Sequence, residues 1–533
     1  MSFPARVQSL FRLYEISVIR LDRLSLPEQN SSTSPRMFSR RSTGPSHKIQ
    51  ETEGNTMRAL RLAYSGKLNS LKSAFVLLLV CVTTAVCLQA QTFTLLHSFN
   101  NTDGATPFYS GLVQGRDGNF YGTTKYGGAY TNGTVFKVTP SGTLTTLHSF
   151  NSTDGAQPIS GLMQATNGNF YGTTNTGGGN SCDCGTVFEI SPSGTLTTLH
   201  VFTNSPDGNG PFGTLIQAMD MNLYGTTSFG GAHHQGTVFK ISPSGTLTTL
   251  YSFCTPTGCA NGENPSAGVI QATDGDFYGT TYLGGIGQHL SSYGTVFQIT
   301  PSGTLTSLHE FDSTDGSNPA VGLLQASNGN FYGTTVLGGT TGYGTLFEIT
   351  PNGTLTTLYN FNSGQGTPGG GNQLIQATDG NLYGTSYGGG ANDYGSIFEF
   401  TPTGTLTILH SFDSTDGANL YAGLIQATNG TFYGTTSNGG ANGLGTVFSL
   451  SIGLGPFVKT QLGSGKVGAK VGILGNNLTG ATNVTFNGTA AVFKVVSNTF
   501  ITTTVPTGAT TGTLKVVTPA GTLSSNVPFR VAP

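Results

Sequence analysis

The groups most able to do chemistry in this chain are histidines that recur at one position of a repeated pattern. The five are His97, His148, His200, His309 and His410, and Tyr251 and Tyr359 occupy the same position in two further copies. A general acid or base must sit where one substrate reacts, so five equivalent copies exceed what catalysis needs. Because tyrosine also replaces histidine there, we predict a structural role and no catalytic residue.

Aspartates that precede a glycine recur in the same way. They are Asp103, Asp154, Asp315 and Asp416, with Asp207 in a variant of the run. One interpretation is an Asx-type turn, in which a carboxylate accepts backbone N–H groups. The other is Ca²⁺ ligation, which gathers several oxygen ligands at alternating positions. Since each run offers mostly one acidic residue, the turn is favoured, and we predict neither a metal nor a cofactor.

Four cysteines follow residue 90 and divide into two close pairs. Cys254 and Cys259 flank a Pro-Thr-Gly turn, which favours a loop-closing disulfide formed in an oxidising compartment. Cys182 and Cys184 are separated by one residue, so a bridge between them would be strained. A metal site would need further ligands that the sequence does not supply, and disulfides are therefore favoured for both pairs.

These residues belong to a unit of about 50 residues that occurs seven times, as marked by Tyr121, Tyr171, Tyr224, Tyr278, Tyr332, Tyr383 and Tyr433. In the second unit the pattern predicts four strands, at 161–165, 169–174, 185–190 and 195–202. Asn-Gly and Pro-Ser-Gly turns join the first pair and the last pair. Four antiparallel strands in 50 residues predict one blade of a β-propeller, and hence an all-β fold.

The two ends of the repeat region are complementary. An extra fourth-type strand at 92–99 precedes the first unit, while the seventh unit stops after its third strand at 445–450. The N-terminal strand would therefore complete the last blade and leave no open sheet edge. We predict a seven-bladed β-propeller closed by an N-terminal strand over residues 91–450.

Sequence variety is concentrated on one face of this propeller. The two kinds of short turn are nearly uniform, whereas the loops between the second and third strands vary, as do those between successive units. The variable loops and the recurring aspartates define a candidate binding face for a glycan or a surface protein. Its aromatic members are Tyr126, Tyr130, Phe229, Tyr282, Tyr293, Tyr343, Tyr387 and Tyr394.

The units follow the pattern DGxxPxxGLxQAxxGNFYGTTxxGGxxxxGTVFxIxPSGTLTTLHSF over residues 92–450. This pattern resembles the bacterial GloVer tandem repeat of choice-of-anchor surface proteins. The resemblance implies export and a propeller-like repeat, and it brings no established activity. Residues 455–533 carry several short β-prone runs and resemble the IPT/TIG immunoglobulin-like domain, which implies a small β-sandwich acting as a spacer or interaction module.

The N-terminal part of the chain predicts export. A basic stretch from Met57 leads into an apolar run at 74–88 and a small-residue exit at 89–91, as in a secretory signal peptide. Residues 57–90 are therefore expected to be the signal, with 1–56 a disordered or mis-assigned extension. The destination is extracellular, cell-surface or periplasmic, and the membrane is contacted only if the signal remains as an anchor.

Charge narrows the range of partners. Residues 91–450 contain 4 Lys+Arg against 19 Asp+Glu, and residues 451–533 contain 6 against none. An acidic repeat region repels nucleic acid, so nucleic acid is not an expected partner. The opposite charges also suggest that the tail docks on the repeat region in a salt-sensitive manner.

Two functional classes remain. The first is an exported, non-enzymatic binding or structural protein. The second is a polysaccharide hydrolase or lyase, which would need two carboxylates from different blades about 5–10 Å apart. Glu263 and Asp393 are the non-repeated acids that would serve.

Overall fold

In a computed structural model, the described residues are 91–255, 258–285, 292–369, 371 and 373–532. The chain divides into two units, 1–90 and 91–533. The signal expected at 57–90 and the extension expected at 1–56 lie outside the described residues. The described residues form an all-β structure, and none of them builds a helix long and apolar enough to cross a membrane.

The repeat region folds, within the described residues, into seven antiparallel four-stranded sheets. Their first strands are β2 (Val113–Gln114), β6 (Met163–Gln164), β10 (Ile216–Gln217), β14 (Ile270–Gln271), β18 (Leu324–Gln325), β22 (Ile375–Gln376) and β26 (Ile425–Gln426). The second strands are β3 (Phe120–Thr124), β7 (Phe170–Thr174), β11 (Leu223–Thr227), β15 (Phe277–Thr281), β19 (Phe331–Thr334), β23 (Leu382–Ser386) and β27 (Phe432–Thr436).

The third strands carry the Thr-Val-Phe pattern and its variants. They are β4 (Thr134–Val138), β8 (Thr186–Ile190), β12 (Thr237–Ile241), β16 (Thr295–Ile299), β20 (Thr345–Ile349), β24 (Ser396–Phe400) and β28 (Thr446–Ser451). The fourth strands are β5 (Leu144–Ser149), β9 (Leu196–Val201), β13 (Leu247–Ser252), β17 (Leu305–Glu310), β21 (Leu355–Asn360), β25 (Leu406–Ser411) and, in the seventh sheet, β1 (Thr92–Ser98).

The seventh sheet joins the two ends of the repeat region. Strand β1 pairs antiparallel with β28, placing Phe93 opposite Leu450 and Ser98 opposite Thr446. The pairing predicted for the N-terminal strand is therefore present, and the third strand of the last unit does not end as an open edge.

Both faces of the second strands are buried, with Tyr332 of β19 only partly so, which explains why their apolar residues do not alternate with polar ones. Phe120 and Tyr121 are each 1% exposed although they point to opposite faces. Tyr121 stacks on Phe170 of the next sheet with ring centroids 4.0 Å apart. Gly122 is required in the same strand because a Cβ there would lie 2.7 Å from the Phe136 ring.

A chain of glutamine hydrogen bonds links every sheet to the next. The glutamine that ends each first strand accepts, at Oε1, a backbone N–H from the preceding sheet, and the seventh such bond returns to the first sheet. The donor–acceptor pairs are Arg116–Gln164 (3.1 Å), Thr166–Gln217 (2.9 Å), Met219–Gln271 (3.0 Å), Thr273–Gln325 (2.9 Å), Ser327–Gln376 (2.9 Å), Thr378–Gln426 (3.1 Å) and Thr428–Gln114 (3.0 Å). The seven sheets are thus connected cyclically.

Residues after 455 form two further four-stranded sheets around a separate apolar core. The first contains β29 (Lys459–Thr460), β31 (Lys470–Leu474), β35 (Phe500–Thr504) and β34 (Phe493–Ser497). The second contains β33 (Thr489–Ala490), β32 (Asn483–Phe486), β36 (Leu514–Thr518) and β37 (Gly521–Ser524). Strands β30 (Ser464–Lys466) and β38 (Arg530–Ala532) pair in parallel beside them. We call residues 455–532 the tail.

The repeat region presents two edges. The turn face carries the turns after the first and third strands, and the loop face carries the loops after the second and fourth strands. The tail rests on the turn face. The Arg116 guanidinium donates to Gln461 Oε1 at 2.8 Å and lies 4.5 Å from the Phe500 ring centroid. Thr499 also donates to the Arg116 carbonyl at 2.6 Å. Because the tail contacts the turn face, it does not cover the loop face on the opposite side.

Candidate functional site

On the loop face, the recurring histidines and aspartates meet in pairs. Each histidine Nε2 lies within hydrogen-bonding distance of the aspartate Oδ2 that follows in the next loop. The pairs are His97–Asp103 (2.9 Å), His148–Asp154 (2.9 Å), His200–Asp207 (2.8 Å), His309–Asp315 (2.7 Å) and His410–Asp416 (2.8 Å). The pairing was not predicted from the sequence, where the histidines and the aspartates were interpreted separately.

The two remaining units show that the pair is exchanged as a whole. Where Tyr251 replaces histidine, Asn261 occupies the position before glycine and donates to the Tyr251 hydroxyl at 3.1 Å. Where Tyr359 replaces histidine, Gln365 occupies the aspartate position and accepts the Asn362 N–H at 3.1 Å. This joint exchange is visible in the sequence, and it is the signal that identifies the histidine–aspartate pair as a structural element of the loop.

The hydrogen bonds around the aspartates show how the predicted turn is built. The Asp103 carboxylate accepts His97 at Oδ2 and the Asn100 N–H at Oδ1. The Asx-type turn exists, but its acceptor is Asn100, whose Oδ1 takes the N–H groups of Thr102 and Asp103. With both oxygens engaged, Asp103 acts as a fixed part of the loop, and the same arrangement recurs at Asp154, Asp315 and Asp416.

Other acidic residues of the repeat region also bond to repeated side chains. On the turn face the tyrosine hydroxyl of the second strand donates to a nearby carboxylate, as from Tyr171 to Glu189 at 2.7 Å and from Tyr383 to Asp379 at 2.7 Å. Burial, followed by the bond to Glu189, raises the pKa of Tyr171 to about 12. These acids therefore accept hydrogen bonds from side chains that recur in the repeated fold.

The two candidate acids of the hydrolase hypothesis have separate local surroundings. Asp393 accepts the Gly389 N–H at 2.7 Å within its own loop, as Asp183 does from Gly177 in the second unit. Glu263 is 3% exposed and lies 3.8 Å from Cys254 Sγ in another loop. Each acid thus contacts residues of its own loop.

In the structure Cys182 is bonded to Cys184 and Cys254 to Cys259. Cys254, Cys259 and Glu263 bring their ligand-type atoms within 4.8 Å of one another, and they are the one such group found among the described residues. Since both sulfurs belong to a disulfide, the cluster holds no thiolate for a metal.

The predicted aromatic residues differ in exposure. Tyr126, Tyr130, Phe229, Tyr343, Tyr387 and Tyr394 are between 39% and 58% exposed. Tyr282 and Tyr293 are partly buried, and Tyr293 packs against the core cluster that contains Tyr278 and Phe331. Six of the eight therefore offer surface to a ligand, whereas Tyr293 belongs largely to the core.

The loop face also carries aromatic residues that were not predicted as members of the binding face. Phe108 and Tyr109 follow the first aspartate–glycine loop, and Tyr421 follows the last. Phe108 lies 4.3 Å from Tyr421, Tyr109 lies 5.5 Å from Tyr421, and Tyr387 lies 4.6 Å from Tyr421, measured between ring centroids. We call Phe108, Tyr109, Tyr387 and Tyr421 the central aromatic cluster. It joins loops of the first, sixth and seventh sheets.

Tyr109 extends this cluster across the loop face. Its ring centroid lies 6.1 Å from that of Phe212, in the third sheet's loop, and a Cβ on Gly371 of the sixth unit would overlap its ring. Tyr109 also adopts a φ of 48°, a left-handed conformation uncommon for a bulky residue. Burial, followed by the proximity of Tyr282, raises its pKa to about 12. Tyr109 of the first sheet therefore lies close to loops of the third and sixth units.

One cation borders the cluster. Lys125 Nζ lies 4.8 Å from the Phe108 ring centroid and 5.0 Å from that of Tyr126. Of the other basic residues in the repeat region, Arg116 contacts the tail and Lys240 pairs with Asp220 at 3.1 Å. Lys125 is thus held over aromatic rings on the loop face.

Comparison with known proteins identifies the family. The sequence profile of the Gloeobacter/Verrucomicrobia repeat matches residues 83–290 and 287–493. The chain belongs to the Gloeobacter/Verrucomicrobia repeat family. The second match runs past the last strand of the repeat region into the tail of this repeat protein. Among curated proteins the search returns no match.

Solved structures with a similar fold share little sequence with the repeat protein. A fungal alcohol oxidase of the AA5 family, in complex with copper, has a TM-score of 0.47 and 14% identity, covering 83% of this chain and 99% of its own. A gluconolactonase from Xanthomonas campestris has a TM-score of 0.37 and 13% identity, covering 68% and 90%. A putative 6-phosphogluconolactonase from Bacteroides fragilis has a TM-score of 0.39 and 19% identity, covering 61% and 95%. Likenesses this distant carry no argument about activity.

Proposed function

We propose that this repeat protein is an exported, non-enzymatic binding protein of the extracellular space or cell surface. Its repeat region is a seven-bladed β-propeller closed by the N-terminal strand, and its tail is an immunoglobulin-like domain of the IPT/TIG type that acts as a spacer. The ligand binds on the loop face at the central aromatic cluster.

The glutamine chain supports the closed ring. Seven equivalent hydrogen bonds return to their starting sheet, and β1 fills the fourth-strand position of the last unit. A linear stack of repeats would leave its first and last sheets without such partners.

The observation that carries the binding function is the contrast among the seven units. Positions that build the fold, such as the glutamine and the second-strand tyrosine, keep the same residue. Between the loop proline and the position of Ser110, the first unit has Phe108 and Tyr109, whereas the second unit has only Ile159 and the fifth only Ala320. Because the same fold is built there with one aliphatic residue, the aromatic rings are not required by the blade. Aromatic residues clustered on a scaffold that does not need them indicate a binding surface.

The chemistry of the cluster favours a carbohydrate. Partly buried tyrosine and phenylalanine rings present flat apolar faces together with hydroxyl groups, and Lys125 adds a hydrogen-bond donor. A pyranose offers an apolar C–H face and peripheral hydroxyls that match this arrangement. The 19 acids of the repeat region disfavour an anionic polysaccharide, so the proposed ligand is a neutral glycan.

The proposal is tested by screening the exported protein on a glycan array that contains neutral, uronate-containing and amino-sugar oligosaccharides. We expect binding to neutral oligosaccharides and a loss of about tenfold or more in Tyr421→Ala, since one stacked ring contributes roughly 1–3 kcal/mol. Leu337→Ala, an exposed apolar residue of the fifth unit outside the cluster, is the matched control. Binding only to a protein partner would reject the glycan, and binding unchanged in Tyr421→Ala would reject the site.

The contacts of the candidate acids support the non-enzymatic assignment over a hydrolase or lyase. In the described residues, the recurring acids bond to histidine or tyrosine, and Glu263 and Asp393 each lie within their own loop. Measured hydrolysis of any bound oligosaccharide would contradict the assignment.

A further inference from the structure

One turn of the repeat region departs from the other six. At the second position of the turn after the first strand, six units have glycine with a positive φ, whereas the third unit has Met221 with a φ of 67°. A methionine in the left-handed region is disfavoured relative to glycine. Two residues earlier, Met219 stands where the other units have threonine, serine or arginine. Met221 thus adopts an unfavourable backbone conformation, and the third unit differs from the others in carrying two methionines on the turn face.

Both methionines line a cavity between the third unit and the tail. Its volume is about 840 Å³, and it is also lined by Leu462, Ala469, Lys466 and Lys470. This volume lies within the range of small-molecule sites, roughly 300–1,000 Å³. Met221 is 43% exposed, so the tail does not cover it and its side chain is available to a ligand.

The lining selects a class of ligand. Methionine is unbranched and polarizable, and it adapts to flexible apolar chains. Lys466 and Lys470 are exposed, and the tail contains six basic residues and no acidic ones. Asp220 also lines the cavity, but its carboxylate is engaged by Lys240 at 3.1 Å and by the Tyr224 hydroxyl at 2.9 Å. An apolar wall with a cationic rim complements an acyl chain that ends in an anionic head.

We propose that this cavity is a second binding site, separate from the loop face, which takes a single-chain amphiphile with an anionic head group. The acyl chain lies along Met219, Met221 and Leu462, and the head group pairs with Lys466 and Lys470. The site does not depend on the glycan proposal, because it lies on the opposite face of the repeat region.

The probe is dodecanoate, titrated calorimetrically into the full chain below its aggregation concentration. Met219→Thr with Met221→Gly restores the residues of the other units, so the variant keeps the fold while it removes the apolar wall. We expect dodecanoate to bind and the double variant to bind about tenfold or more weakly. Met163→Leu, which changes a methionine on β6 outside the cavity, should bind as the original protein does.

A second comparison tests the head group. Lys466→Gln with Lys470→Gln should weaken dodecanoate several-fold and leave dodecyl maltoside unchanged. Equal affinity for dodecyltrimethylammonium would overturn the anionic selectivity. If dodecanoate does not bind the original protein, or binds the Met219→Thr, Met221→Gly variant equally well, the methionines only pack against the tail and the proposed site is wrong.

Discussion

Gln114 accepts the backbone N–H of Thr428 at 3.0 Å, although 314 residues separate the two in sequence. Both residues are buried, Gln114 at 5% exposure and Thr428 at 0%. The six equivalent bonds join neighbouring units, whereas this one joins the last unit to the first. It therefore links the two ends of the repeat region as well as contributing to local packing.

Replacing this glutamine should destabilise the protein more than the same change elsewhere. Gln114→Leu leaves the buried Thr428 N–H without its acceptor, which costs roughly 1–3 kcal/mol. Gln325→Leu removes an equivalent bond to Thr273, whose N–H is close to solvent, and should cost less than about 1 kcal/mol. Chemical denaturation of the two variants measures the difference. Equal midpoints would show that burial and ring closure add nothing to this bond.

The histidine–aspartate pair should behave as one energetic element. His148→Tyr and Asp154→Gln each break the 2.9 Å contact, and each should destabilise by about 0.5–1.5 kcal/mol. The double variant copies Tyr359 of the fifth sheet and Gln365 of the loop that follows it, which have the same spacing. It should therefore lose less stability than the two single variants together. Thermal unfolding of all four proteins completes the cycle, and strictly additive losses would refute the coupling.

Docking of the tail should depend on Arg116 and only weakly on salt. Arg116→Thr introduces the residue of four other units and removes the contacts to Gln461 and Phe500. We expect faster proteolysis of the connection at 452–458, with Lys137→Thr as the control for loss of one positive charge. The acceptors of Arg116 are uncharged, namely an amide oxygen, a carbonyl oxygen and an aromatic ring.

Raising the salt from about 50 to 500 mM should therefore change the proteolysis rate little. Among the described residues, the recorded ion pairs lie within the repeat region and join no tail lysine to a repeat-region acid. Strong acceleration by salt would instead support the docking by opposite charges that the composition suggests.

Lys459 should give stability a distinctive pH dependence. Burial lowers the pKa of its ammonium from 10.5 to about 8. Between these values the unfolded chain holds a proton that the folded protein has released, so stability rises as the pH increases from about 8. Above about pH 10 the raised pKa of residues such as Tyr109 acts in the opposite direction.

Urea denaturation at several pH values between about 7.5 and 9.5 isolates the effect of Lys459. The Lys459→Met variant should be more stable at pH 7.5, by at most a few kcal/mol at about 1.4 kcal/mol per pKa unit. Its stability should also lose the upward slope seen in the original protein. An identical slope in the two proteins would show that Lys459 keeps an ordinary pKa.

The local structure of the repeat was readable from the sequence. The strand predicted at 169–174 is β7 (Phe170–Thr174), and the strand predicted at 185–190 is β8 (Thr186–Ile190). Turn residues and apolar patterns act over a few positions, and seven copies repeat the same signal. Even the partner of β1 followed from counting strands, because each sheet needs four. The joint exchange of histidine with tyrosine and of aspartate with an amide was present in the sequence as well.

Tertiary structure alone decided which side chains meet across different units. Phe108, Tyr109 and Tyr421 come together because the ends of a 360-residue region adjoin, and no spacing within one repeat encodes that contact. The same reason applies to Arg116 with Gln461 and to Met221 with the cavity beside the tail. The sequence determined the unit and its number of copies, since those depend on short-range patterns. The proposed sites lie where copies differ, and their positions depend on how the seven sheets and the tail pack together.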